Sequence, residues 1–473
     1  MALRKIGFWL MVALLIAGGA LVAPSLYRTA VLGSGVMAQL LCSSTFVSGR
    51  DPKAVVTEDL SGPGYEPLSF FQWQVERQNK RVIASLFGLG ERSALFREGL
   101  GCTLSIDRTE AELSAQARGV ASKPSSSSPD VLWPDGEGVD TNAIPQGVNA
   151  TMLEEGVQAA FAEPDRDHPR RTRALVVVHA GRIVAERYAP GFNADMPLIG
   201  WSMTKMAINA LAGVLVQDRK LRLSDTALLP EWRHDGDLRR DITLDQLLRM
   251  TSGLSFNEDY ADQSSDILQM LFVQGDQARF AASKPLVSSP GTQWSYSGGT
   301  SNIIALVMRQ QFGEEKDYLR FPRERLFGPL GMRSAVLEPD SGGTFIGASF
   351  MYASARDWAR LGLLFLRDGV WQGRRLLPEG WVAYTLTPTQ RSPDAEYGAH
   401  VWLKLPDSQQ LGEPPMPEDA YYMLGYDQQI VAVVPSRDLV IVRLGLTREE
   451  SAWDHARDLA PIVRAFPPRL PGT

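Results

Sequence analysis

The stretch Trp201-Ser202-Met203-Thr204-Lys205 runs directly into an apolar, helix-forming segment, MAINALAGVLVQ at 206–217. Three residues apart on a helix, Ser202 and Lys205 share one face. A serine hydroxyl is a weak nucleophile until a neighbour takes its proton. A lysine takes it when burial or a nearby cation lowers its pKa. Ser-x-x-Lys is therefore the minimal signature of a serine acylase that uses no histidine. Taken alone, the same residues also read as a capping serine followed by an exposed lysine one turn in. No other lysine in the chain has a serine three positions before it.

Two later blocks bear on the choice. In GTQWSYSGGTSNIIALVMRQ (291–310), Tyr296 falls between a turn and an apolar helix. A phenol there can relay a proton in a cleft, or it can simply pack. In YYMLGYDQQIVAVV (421–434), Gly425 precedes a strand. A glycine lets backbone approach a ligand closely. The N–H of Tyr426 and that of Ser202, at a helix start, would then form an oxyanion hole. An ordinary bulge glycine is the other reading.

The surrounding chain reads as a hydrolase-sized body with something attached. At 473 residues it is long enough for two or three domains, and its 44% hydrophobic and 22% charged content is that of a globular protein. A net charge of −6 gives no basic footprint for nucleic acid. Arg4 and Lys5 precede an uncharged apolar run from Gly7 to Tyr27, closed by Arg28. Its length suits a membrane span. The leading basic residues put the N-terminus in the cytoplasm and the body in the periplasm. An uncleaved inner-membrane anchor is the expectation; the rival is a signal peptide cleaved on export. The only cysteines, Cys42 and Cys102, both follow that run, and an even count in an exported chain reads as a disulfide. With no His-Glu-x-x-His and no paired Cys-x-x-Cys, the sequence offers no metal site.

Four segments follow: an anchor or signal at 1–28, a small membrane-proximal region at 29–120, a Ser/Pro/Gly-rich linker at 121–140 and a catalytic domain at 141–473. Residues 82–104 read as two short strands. Residues 174–190 and 428–445 read as hairpins, turning at Ala180-Gly181-Arg182 and at Pro435-Ser436-Arg437-Asp438. ITLDQLLRMTSGL (242–254) reads as a helix ended by Ser252-Gly253, and 353–371 as a buried amphipathic helix. A closing helix is expected from Ala452 to Ala465. Hairpins at both ends with helices between predict one antiparallel sheet built from both termini.

Ser-x-x-Lys, then Tyr-Ser-Gly, then a glycine on a late strand resembles the penicillin-recognising serine hydrolases. These include class C β-lactamases, D-alanyl-D-alanine carboxypeptidases, related esterases and nylon-oligomer (6-aminohexanoate-oligomer) hydrolases. The flanks LLRMTSGL, YASARDWARLGLLFLRDGVWQG and VVPSRDLVIV fit as well, so the resemblance covers about 170–465. It implies an α/β serine β-lactamase-like fold: an antiparallel sheet flanked by helices, an all-helical subdomain, and a site between them. Ser202 would be acylated, Lys205 its base partner and Tyr296 the proton shuttle. The N–H groups of Ser202 and Tyr426 would hold the oxyanion. No cofactor is implied.

The departures concern substrate. The family's Tyr-x-Asn is Tyr296-Ser297-Gly298 here, and its Lys-Thr-Gly or His-x-Gly is Met423-Leu424-Gly425. The missing amide would hold a β-lactam side chain, and the missing cation would pair with its carboxylate. Losing that partner in a desolvated site costs a few kcal/mol, which favours an ester or amide lacking the carboxylate over a β-lactam or D-Ala-D-Ala peptide. FNEDYADQSSD (256–266) is similar to a Glu-Asp-Tyr-x-Asp stretch of the nylon-oligomer hydrolases, making Tyr260 a substrate-contact candidate. Trp201, Gly298, Met423 and Gly425 complete the expected substrate-binding set. A histidine base would need His400, since His179 lies in a strand and His168 and His234 in charged loops. A catalytically decayed binding or scaffold protein of the cell envelope is the alternative from another class.

Overall fold

The two hairpins find each other. In a computed structural model that describes residues 2–120, 130–140, 144–406 and 416–469, with side chains from 24 onward except at 450, they build one sheet. An N-terminal sheet holds strands β1 (Gln72–Glu76), β2 (Arg81–Leu86), β3 (Leu89–Arg97) and β4 (Gly101–Leu104). The central sheet holds β5 (Thr172–His179), β6 (Arg182–Tyr188), β7 (Tyr421–Gly425), β8 (Gln429–Val434) and β9 (Leu439–Gly445). Its order is β7-β8-β9-β5-β6, antiparallel throughout, with Val442 opposite both Val431 and Val176. The first hairpin closes on Ala180 (φ 48) and Gly181 (φ 74), the left-handed pair of a two-residue turn.

Strand alternation divides the sheet between two cores. Val176, Val178, Val431, Val433, Val440 and Val442 face a core shared with Trp358 and Leu361 of the helix Ala355–Leu366. Leu175, Val177, Ile430, Ala432 and Ile441 face the other, with Leu153, Leu459 and Ile462 of helices Ala150–Ala160 and His455–Arg464. A sheet covered on both faces needs strands apolar on both sides, which is what these sequences supply. Between β6 and β7 the regular structure is chiefly helical, including Thr204–Gln217, Leu244–Leu248, Asp266–Val273 and Gly298–Arg309.

Three expectations change. The helix expected over 242–254 is confined to Leu244–Leu248: Met250 turns left-handed at φ 60, and the Thr251 N–H closes back on Gln246 O. The two short strands expected at 82–104 are three, and β1 joins them in a four-stranded sheet. The closing helix starts at His455, three residues later than expected, behind an N-cap from Asp454.

The N-terminal region packs into the main core. Helix Ala2–Phe46 passes from exposed residues at 24–28 into the protein, and Met37, Ala38 and Leu41 join the core that contains Trp358. The Cys42–Cys102 disulfide ties this helix to β4. Fully buried Glu338 accepts hydrogen bonds from Gln39 (2.8 Å), Ser43 (2.8 Å) and the Cys102 N–H (2.7 Å), so one carboxyl bridges helix, β4 and the main body. Of the stretch read as a linker, 121–129 lies outside the described residues. Its second half is docked: buried Arg360 donates to the carbonyls of Pro134 and Gly136. Pro24–Phe46 is long and apolar enough to cross a membrane, yet 78% of its span window is buried inside the protein. The anchor expected at Gly7–Tyr27 falls mostly on side chains outside the described residues.

Candidate active site

Ser202 sits in a single 3-10 turn, Trp201–Met203, immediately before helix Thr204–Gln217. Trp201 holds a left-handed backbone (φ 48), rare for a bulky residue. Such strain persists where packing over-determines it, characteristically at active sites. Here the indole is buried between Phe350 (6.0 Å) and Tyr426 (5.6 Å). The Gly200 N–H donates to Met351 O, and the Met351 N–H donates to Thr204 Oγ1, pinning both sides of the turn to one strand.

Lys205 is 2% exposed. Its Nζ lies 3.0 Å from Ser202 Oγ and 3.1 Å from the Ala348 carbonyl oxygen. Among the described residues no carboxylate lies within 4.0 Å of it, whereas Lys284 is paired with Asp266. Burying an amine nitrogen is costly, so a lysine held against a serine without a carboxylate is an arrangement that packing alone does not favour. Lys205 Nζ also stands 4.8 Å over the Tyr296 ring. That ring is fixed by stacking on Trp402 (5.6 Å) and an edge contact with Tyr397 (5.9 Å). Ser202, Lys205 and Tyr296 are therefore together; Lys205 meets the face of the tyrosine.

Gly425 ends β7 directly against Gly200: a Cβ at 425 would fall inside van der Waals range of the Gly200 carbonyl oxygen. Only glycine lets the strand end come this near the Ser202 turn. Tyr426 follows, with its ring stacked on Tyr260 at 5.3 Å and edge-on to Trp201. The Tyr260 hydroxyl is pushed well above its ordinary pKa, first by burial and then by Glu258 and Tyr296, so it stays a neutral donor. Met423 is 1% exposed and belongs to the main core. The expected substrate contact at this position is a core side chain in the structure.

Gly298 opens helix Gly298–Arg309 and donates its N–H to Glu258 Oε2 at 2.7 Å. A Cβ at 298 would stand 3.1 Å from Glu258 Oε1 and 2.8 Å from Ile267 Cδ1. Glu258 thus fills the space that an asparagine at 298 would need. Its Oε1 is buried and has no hydrogen-bond partner in the protein. Burial raises its pKa, against the pull of Lys205 and the Gly298 N–H. The sequence reading missed Glu258. The signal was available two residues before Tyr260, but nothing local says that the loop folds under Gly298.

His400 offers no base to Ser202. Its Nδ1 is 3.1 Å from Lys205 O and its Nε2 3.3 Å from Ser301 Oγ. Burial, then the Lys205 charge, lowers its pKa to about 3. Among the described residues no group of three or more His, Cys, Asp or Glu side chains could hold a metal ion.

Residues 157–463 match a protein family model described as Beta-lactamase. Among curated proteins the chain is similar to a 6-aminohexanoate-dimer hydrolase of Paenarthrobacter ureafaciens, 24% identical over 239 residues. That match takes in 48% of this chain and 60% of the relative, so the chain spans less than two thirds of the relative's length. Among solved structures it is similar to EstCE1, described as a hydrolase with promiscuous acyltransferase activity: 18% identity, TM-score 0.51, 68% of this chain and 98% of that one. A penicillin-binding protein homolog from Caulobacter crescentus gives 15% identity and TM-score 0.51, over 69% and 97%. At such identities the structural likeness is one of fold.

Proposed function

The chain belongs to the beta-lactamase family, and from that premise we propose that it is a serine hydrolase cleaving an ester or amide through an acyl-enzyme on Ser202. The observation that carries the reading is the buried Lys205 Nζ at 3.0 Å from Ser202 Oγ. Ser202 Oγ attacks the carbonyl carbon while Lys205 takes its proton. The backbone N–H groups of Ser202 and Tyr426 hold the oxyanion in this reading, which the close backbone approach of Gly425 to Gly200 supports. Tyr296 hands its phenolic proton to the leaving alcohol or amine and regains one from Lys205, which holds the proton taken from Ser202. Water then adds to the acyl carbonyl, its proton returns to Ser202 Oγ, and the carboxylic acid leaves.

The substrate is an ester or a linear amide. Two features support this over a β-lactam. Position 423 carries a buried methionine instead of a cation, and the space beside Gly298 is taken by Glu258, which leaves no room there for a side-chain amide. The amide option follows the 6-aminohexanoate-dimer hydrolase relative. The same reading puts the N-terminal apolar run in the inner membrane, with Arg4 and Lys5 on the cytoplasmic side. The Cys42–Cys102 disulfide supports an oxidising compartment for the body.

Turnover of p-nitrophenyl acetate, linear amide oligomers and a chromogenic β-lactam by the full chain tests the assignment. Ester or amide hydrolysis lost in Ser202→Ala is expected. Efficient β-lactam hydrolysis would overturn the substrate assignment. No turnover of any substrate, with no acyl adduct by mass spectrometry, would overturn the enzyme in favour of a binding protein.

A further inference from the structure

A cavity of about 300 Å³ adjoins the Ser202 turn without containing Ser202 itself. Trp201, Tyr260 and Tyr426 form its wall on the side of the nucleophile, and among the described residues no charged side chain or histidine lines it. Its other wall comes from the N-terminal region: Leu32 and Val36 on the first helix, and Leu68 and Phe71 after it. These residues precede the family match, which begins at 157. The cavity is thus an addition made by this chain's own N-terminal region. Its size is that of a small-ligand pocket, which is mostly apolar.

We infer that this cavity holds the hydrocarbon chain of an acylated, lipid-like substrate whose ester or amide carbonyl lies at Ser202. The inference rests on Ser202 being the nucleophile. Beyond the chemistry of the lining, the position of the cavity supports it. Thr29 lines the cavity, and the residues just before it, 24–28, are exposed as the apolar helix leaves the body. Large apolar side chains stand in solvent around that point: Leu26, Tyr27, Phe70 (63% exposed) and Phe87 (73%). Phe87 is held there by its N–H on Gln72, and the neighbouring Gly90 packs against Ala30 and Val31. The cavity thus lies on the side where the apolar helix emerges from the body.

The test is a chain-length series, p-nitrophenyl acetate to laurate, with the full-length protein. Burying each methylene is worth about 0.8 kcal/mol, so kcat/KM is expected to rise about fourfold per carbon until the cavity is full. Val36→Trp and Leu268→Trp each put an indole on the cavity lining, and each should lower the laurate-to-acetate ratio by about tenfold or more. A flat series in the wild type, with acetate hydrolysed through Ser202, overturns the cavity assignment and leaves the nucleophile standing. The Ser202→Ala chain separates the two claims in the other direction. It should bind cis-parinaric acid saturably, and Val36→Trp should weaken that binding. Absence of saturable binding overturns the inference whatever the fate of Ser202.

Discussion

Glu338→Gln should make the stability of this protein markedly less sensitive to pH. Glu338 is fully buried where the first helix, β4 and the main body meet. Burial raises its carboxyl from 4.5 to about 8, even though the Cys102 N–H, Ser43, Gln39 and Arg97 all pull the other way. At about 1.4 kcal/mol per pH unit, that rise is worth about 5 kcal/mol. The folded state holds the proton more tightly than the unfolded chain does. This contribution is therefore complete below pH 4.5 and is lost as pH rises through about 8. Glutamine keeps the size of the carboxyl, is uncharged and does not titrate; its NH₂ brings two donors where the protonated carboxyl has one, an offset that is the same at every pH. Urea unfolding of both chains at pH 5, 6, 7 and 8 gives the difference. The wild type should lose about 4 kcal/mol relative to the variant across that range. Asp340, raised to about 7, and Asp427, raised to about 6, titrate in both chains and cancel. A wild-type-minus-variant difference that stays constant with pH would refute the reasoning.

Lys205→Met should lower ester kcat by about 10²–10⁴ while leaving the melting temperature unchanged or higher, because a buried polar amine is replaced by apolar volume; steady-state kinetics beside calorimetry check both halves. Gly298→Asn should cost about 1–3 kcal/mol of stability through its clash with Glu258 and Ile267. Adding Glu258→Ala should recover part of that loss, and a double-mutant cycle with no coupling would mean that the two positions do not compete for space. The Cys42–Cys102 bond closes a loop of sequence separation 60. Replacing both cysteines by alanine should cost about 4 kcal/mol in denaturant unfolding under non-reducing conditions.

How much of this was legible in the sequence depends on how local each feature is. The two terminal hairpins announce themselves through β-branched runs around Gly181 and around Pro435–Asp438, and their pairing follows from burial on both faces. Ser202, Lys205 and Tyr296 stand out because a three-residue spacing and a helix start are local signals. The 242–254 segment misled because its apolar spacing continues past Leu248 while the backbone does not: Met250 is buried from a left-handed turn. Periodicity reports burial, and helix is only one way to achieve it. Met423 was read as a cleft residue from its place in a motif, whereas strand alternation turns it into the core with Tyr421. Glu258, Glu338 and the apolar cavity were invisible for a different reason. Each is made by segments far apart in the chain, and a buried carboxyl looks in sequence like any exposed one.

The central claim stands or falls on one covalent bond. Incubating the full chain with a fluorophosphonate probe, then digesting it for mass spectrometry, should give a single stoichiometric adduct on Ser202, absent from Ser202→Ala. An adduct on another residue, or labelling that persists in Ser202→Ala, would contradict the account.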